Sequence, residues 1–189
     1  AEPRGRAVEE VARVNEREAC DLVVIGRSSG EDGRPAWGEH GLRILRLADA
    51  PVLVVPEGRS VRLGRAVVGM DLSPDALDAL AVAHRIARDV VPLAVIDRRA
   101  EGLDDEAFAS FRADLVERYE ELARARLGVD EVPRLHLVDA ASPADALLAA
   151  AEEEHTDLLV IGSRGLTPVA AVLLGSTAER LGGRCHVPL

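Results

Sequence analysis

Apolar residues along this chain follow two alternating patterns. Short unbroken runs occur at Asp21–Gly26, Ala50–Pro56, Ala66–Asp71, Val91–Asp97 and Leu158–Ile161, with the length and β-branched content of strands buried on both faces. Arg134–Val138 instead alternates polar and apolar, as a strand near a sheet edge does. Between these runs apolar residues recur every three or four positions: Ala7, Val8, Val11, Ala12 and Val14; Leu42, Leu45 and Ala48; Leu77, Leu80, Ala81 and Ala87; Phe108, Phe111, Leu115, Tyr119 and Leu122. That is helical spacing. Strands and helices in alternation predict an α/β fold with a parallel sheet.

Local chemistry supports these boundaries. Ser73-Pro74-Asp75 and Ser142-Pro143-Ala144-Asp145 each supply an N-cap serine, a proline at the first helical position and an acid in the first turn. The first of these helices is expected to run to about Asp89, and the longest from Asp104 to Leu127. Asp157-Leu158-Leu159-Val160-Ile161-Gly162 repeats Asp21-Leu22-Val23-Val24-Ile25-Gly26 at an offset of 136 residues, each copy after a helical segment. Both strands read as fully buried.

Composition narrows the function classes. The chain has 189 residues, 48% apolar but only 2% aromatic, so its core rests on Ala, Val and Leu. Its formal net charge is −10, without a basic cluster interleaved with aromatics, which argues against nucleic acid. Cys20 and Cys185 lie far apart and form no metal-ligand spacing. No apolar run reaches membrane-spanning length, and the first residues hold no signal-peptide core. A cytoplasmic protein that neither crosses a membrane nor binds nucleic acid is expected.

The candidate chemistry sits after the last strand. Gly162-Ser163-Arg164-Gly165 forms a turn that lets backbone approach an anion closely, and Gly175-Ser176-Thr177 opens a second donor-rich corner. Ser176 to Glu179 also reads as a capping box, compatible with phosphate contact. The spacing Gly162-x-x-Gly165-x(9)-Gly175-Ser176 resembles the ATP-binding signature of the universal stress protein family. The resemblance implies a Rossmann-like, adenine nucleotide alpha hydrolase-like fold with a five-stranded parallel sheet. It further implies that Asp71, at the end of the first strand of the family domain, contacts the nucleoside, and that Val95 lines the adenine pocket. Met70 and Ile161 join the same set by resemblance. Asp71 equally suits a turn aspartate, Val95 a core residue, and Arg164 a solvated loop residue or a phosphate contact.

The first copy departs from the signature: Gly38-Glu39 stands where Gly-Ser is expected, after a polar insert at Glu31–Ala36, and a carboxylate there opposes a triphosphate. Trp37 and His40 beside it suit a loop cover and a solvated side chain. The chain is therefore expected to comprise a truncated, degenerate unit over residues 1–56, a linker at 57–64, and a complete ATP-binding unit over 65–189. Two strands cannot form a stable sheet alone, so the first unit belongs to a longer tandem protein or docks on the second unit or another chain. The ending Cys185-His186-Val187-Pro188-Leu189 leaves little room for a dimerising strand, and Val52–Val55 is the substitute edge for a homodimer or intrachain pseudo-dimer. The family implies ATP, with or without Mg2+, and a regulatory stress-response role with at most slow hydrolysis. No P-loop lysine and no H-E-x-x-H accompany the glycine corner. A nucleotide-free interaction module and an adenylating enzyme are the alternatives.

Overall fold

The computed structural model describes residues 6–27, 38–102, 104–153, 155–163 and 174–189. In chain order the elements are α1 (Arg6–Glu18), β1 (Val23–Arg27), α2 (Gly38–Leu47), β2 (Val52–Pro56), β3 (Arg65–Gly69), α3 (Pro74–Ile86), β4 (Asp89–Ile96), α4 (Arg98–Glu101), α5 (Asp105–Leu127), β5 (His136–Asp139), α6 (Pro143–Glu153), β6 (Leu158–Val160) and α7 (Ser176–Gly182). Strands β5-β4-β3-β6 form a parallel sheet, and β1-β2 a parallel pair.

Alternation along each strand decides which helices cover which face. Ala66, Val68 and Leu158 join Leu80, Ala83, Tyr119 and Ala123 from α3 and α5 on one side, whereas Val67 and Leu159 join Leu147, Ala150 and Leu181 from α6 and α7 on the other. Alanines at these contacts let the helices sit close to the sheet, as the aromatic-poor composition suggested. Tyr119 is fully buried, and its hydroxyl donates to the Pro133 carbonyl (2.8 Å), pinning α5 to the approach to β5. A wholly buried Leu or Val contributes about 1.5–3 kcal/mol, so Leu80, Val67, Val68 and Leu159 carry much of this core.

The caps form as the sequence requires. Ser73 Oγ accepts from the Ala76 amide (3.2 Å) and Asp104 accepts from Ala107 (2.8 Å), while Gly128, with φ 68°, closes α5. One boundary moved. Helix α3 stops at Ile86 instead of reaching Asp89, because Ala87 turns extended and the Arg88 and Asp89 amides both donate to the Gly64 carbonyl (3.0 Å each). Strand β4 consequently starts at Asp89.

The internal repeat extends to backbone detail. Ala19 and His155 are both left-handed, with φ 48° and 49°. Each follows a helix whose end is closed by the same bond, Cys20 N–H to Asn15 O (3.3 Å) and Thr156 N–H to Ala151 O (3.1 Å). Residues 15 and 151, 19 and 155, and 20 and 156 all stand 136 positions apart. Burial differs between the copies, and here the expectation of a fully buried first strand is corrected. Leu158 is 2% exposed beneath α3, whereas Leu22 is 39% and Val24 58% exposed, since no described helix takes α3's place over β1.

The carboxyl end of the chain joins the two sheets. Leu159 N–H donates to Pro188 O (2.9 Å), and Leu189 exchanges both backbone hydrogen bonds with Val54 (2.7 and 3.0 Å). This corrects the objection to pairing at Pro188: its carbonyl accepts, and its missing N–H is not required. Strand β2 provides the pairing edge within the same chain.

Candidate functional site

All the candidate residues except Gly165 lie among those described. Met70 and Asp71 leave the end of β3, Val95 stands near the end of β4, and Ile161 and Gly162 leave the end of β6. Because these three strands are neighbours, with Gly69 paired to Leu93 and Val68 to Val160, the residues gather at one carboxyl edge of the sheet. Open parallel sheets receive ligands at that edge. Gly165 and Arg164 lie outside the described residues, as does Trp37.

Each residue is held by its backbone. The buried Met70 donates its amide to Leu93 O (2.9 Å). Asp71 is exposed, and its Oδ1 accepts from the Ser73 amide (2.9 Å), so one oxygen performs the turn role foreseen for it. Leu72 between them has φ 61°, a conformation that costs a branched side chain on the order of 1 kcal/mol. That bend directs the chain from the strand end into α3. Val95 is half-buried against the α6 side of the core.

Gly162 is constrained by packing. A Cβ there would stand 2.8 Å from the Asp75 carbonyl carbon and 2.9 Å from the Ala76 nitrogen, so the end of β6 abuts the first turn of α3. Ser163 then reaches across: its Oγ donates to Asp75 Oδ2 (3.3 Å), and its carbonyl accepts from the Gly175 amide (2.9 Å). That last bond brings Gly175-Ser176-Thr177 to the strand edge, directly beside Gly162-Ser163. The Gly175 amide is thereby occupied, whereas the first-turn amides beyond it have no acceptor within a helix. The capping box does not form as expected: Gly175 is the N-cap, with no side-chain cap hydrogen bond, and Ser176 is the first helical residue.

A cleft of about 600 Å³ opens behind this edge, between α3 and the β1-β2 pair, walled by Leu22, Val24, Val82, Leu158 and Val160 and touching Gly162 at one end. Its apolar walls offer little to a polyanion. Among the described residues no group of three or more His, Cys, Asp or Glu is arranged to hold a metal ion, and no helix is long and apolar enough to cross a membrane.

The family model of the universal stress protein family matches residues 3–56 and 63–189. The chain belongs to that family. A universal stress protein of Thermus aquaticus is 35% identical over 75 residues, 39% of this chain and 55% of that protein. Another, from Mycobacterium tuberculosis, is 33% identical over 135 residues, 64% of this chain and 90% of that protein. The crystal structure of a universal stress protein from Archaeoglobus fulgidus superposes with a TM-score of 0.68 at 24% identity, covering 96% of this chain and 64% of that one. This chain thus spans little more than half of the first relative and under two thirds of that structure.

Within the universal stress protein fold, a Rossmann-like parallel α/β architecture, the sequence reading placed most of the edge but missed two participants. Asp75 was read as a first-turn acid and Ser163 as part of the glycine turn, yet they hydrogen-bond across the edge. Arg27 was passed over in the degenerate copy. It ends β1 with its side chain buried (6% exposed), and its guanidinium donates to the carbonyls of Gly182 and Cys185. Burial lowers its pKa from the usual value, and the same burial raises that of the Cys185 thiol. The available signal was the repeat, which puts Arg27 in register with Ser163.

Proposed function

We propose that this universal stress protein is a nucleotide-binding regulatory module, taking ATP at the carboxyl edge of β3, β4 and β6. One observation carries the reading: the Gly175 amide bond to Ser163 O sets the Gly175-Ser176-Thr177 corner against the strand end at Gly162, beside Asp71 and Val95. In this reading the exposed Asp71 accepts from the nucleoside; Met70, Val95 and Ile161 flank the base; Gly162, Gly165, Ser176 and Thr177 take the phosphates. The tandem assignment supports it as well. Among the described residues, 65–189 supply every element of the edge and 6–56 contain no counterpart of β3 or β4, and Glu39 stands at the position of Ser176.

Electrostatics argue for a divalent cation with the nucleotide. The net charge is −10, and the Asp75 carboxylate stands beside Ser163; a bare triphosphate brought to that edge meets repulsion that Mg2+ offsets. The β2 pairing with the chain end suits an intrachain pseudo-dimer in which nucleotide at one unit influences the other.

Calorimetric titration with Mg-ATP tests the proposal, with Gly175→Glu as the comparison because it transplants a carboxylate into the corner. Saturable binding near one nucleotide per chain, abolished in the variant, is expected. A folded, nucleotide-free chain that binds no ATP would leave the interaction-module alternative in its place.

A further inference from the structure

The two copies of the repeat grip opposite ends of one helix. Ser163, the residue after Gly162, accepts the Gly175 amide (2.9 Å) at the start of α7. Arg27, the residue after Gly26 and in register with Ser163 at the 136-residue offset, donates to Gly182 O, the last residue of α7, and to Cys185 O just beyond it. A seven-residue helix has little stability of its own. Helix α7 lacks a side-chain N-cap, and its C-cap Gly183 is right-handed, with φ −84°; the left-handed closure that commonly satisfies final carbonyls is not used. A side-chain link nearby, Arg184 to Asp145, joins two groups that are each 56% exposed and contributes little.

Arg27 supplies what those caps do not. A buried guanidinium forks across two carbonyls at the negative end of α7, where its charge also complements the helix dipole. The adjacent Cys185 is fully buried and its thiol donates to Val187 O (3.3 Å). We propose that Arg27 is a positioning residue for the nucleotide edge, acting through α7: the degenerate copy braces the helix whose first residues, Ser176 and Thr177, belong to the binding corner of the other copy. At 1.5 Å per residue α7 is about 10 Å long, so displacement at Gly182 is carried to Ser176 without an intervening joint. The inference rests on the nucleotide reading above.

The test compares wild type, Arg27→Met and Arg27→Lys by hydrogen exchange over residues 174–189 and by titration with Mg-ATP and with adenosine. Methionine preserves the apolar stem and removes both donors. Exchange in α7 is expected to accelerate about tenfold or more in Arg27→Met while β3 and β4 keep their protection. Affinity for Mg-ATP is expected to fall about tenfold, adenosine binding to stay constant because it does not reach the corner, and Arg27→Lys to lie between. Unchanged α7 exchange overturns the brace. A loosened α7 with unchanged ATP affinity overturns the positioning role, as does equal loss of ATP and adenosine together with β3 and β4 protection, which marks general destabilisation. If Arg27→Met does not fold, Arg27→Lys decides by the same criteria. Wild type that binds neither ligand overturns the nucleotide reading itself, a result distinct from any failure confined to the variants.

Discussion

Gly162→Ala separates two reasons for a glycine at the strand end. The added methyl would meet the Asp75 carbonyl carbon at 2.8 Å and the Ala76 nitrogen at 2.9 Å, where ordinary contact begins near 3.4 Å. One partner must therefore move by about 0.6 Å, and both are backbone, with no flexible side chain to yield. Moving Ala76 also strains its bond to Ser73 Oγ (3.2 Å), the buried cap of α3. Overpacking of this kind costs about 1–3 kcal/mol, partly offset by about 0.4–1 kcal/mol from the stiffer unfolded chain. The repeat provides the control: Gly26 occupies the matching place in β1, and a Cβ there meets nothing within 4 Å among the described residues. Urea denaturation should show a lower midpoint for Gly162→Ala with the slope unchanged, and no loss, or a slight gain, for Gly26→Ala. ATP titration of the folded variant should weaken as well, because the Ser163 carbonyl that holds Gly175 moves with Gly162. Equal stability of the two variants would refute the packing argument and leave ligand approach as the sole reason for the glycine.

The repeat gives a second matched pair: Leu158→Ala, beneath α3, should cost about 2–5 kcal/mol in the same denaturation assay, and Leu22→Ala, 39% exposed, under about 1 kcal/mol; similar losses would contradict the burial pattern. Tyr119, the single tyrosine of the chain, has a pKa raised well above its usual 10.0 chiefly by burial. Its neutral form is therefore favoured in the folded state. That contribution is complete below pH 10 and is lost as pH rises toward the folded pKa, as the unfolded chain ionises first. Phenolate absorbance should accordingly stay absent past pH 10 and appear together with loss of helical circular dichroism; a reversible phenolate signal near pH 10 in the folded protein would contradict a buried hydroxyl bonded to Pro133. Tyr119→Phe should abolish the absorbance change and lower neutral-pH stability by about 1 kcal/mol through the lost hydrogen bond.

The sheet, its helices and most of the candidate edge were legible because they depend on local rules. Apolar runs marked the strands, serine-proline pairs marked the starts of α3 and α6, and the glycine spacing marked the corner at Gly175. What escaped depends on partners distant in sequence. Gly162 looked like a residue chosen for a turn, whereas its constraint comes from Asp75 and Ala76, more than eighty positions earlier. Ser176 carried the residue pattern of an N-cap, yet the bond from Gly175 to Ser163 fixes the helix start one residue sooner. The exposure of Val24 was equally hidden, since an apolar run reports that a strand can be covered and not which helix covers it. Pro188 misled because its missing donor was weighed and its carbonyl was not.

The divergence of the two copies follows from what surrounds each strand end. In the second, β3 and α3 lie beside β6, so the residue after the glycine must be small and polar: Ser163 bonds Asp75 with its hydroxyl and Gly175 with its carbonyl. In the first, a Cβ at Gly26 meets nothing within 4 Å among the described residues, and the following side chain is free of that requirement. Arginine, long and permanently charged, instead reaches the opposite copy and spends its donors on carbonyls of residues 182 and 185. A buried charge is tolerated only where acceptors satisfy it, so Arg27 and the turn after α7 depend on each other. The change of residue at this position of the repeat thus replaces a contact with the start of α7 by one with its end.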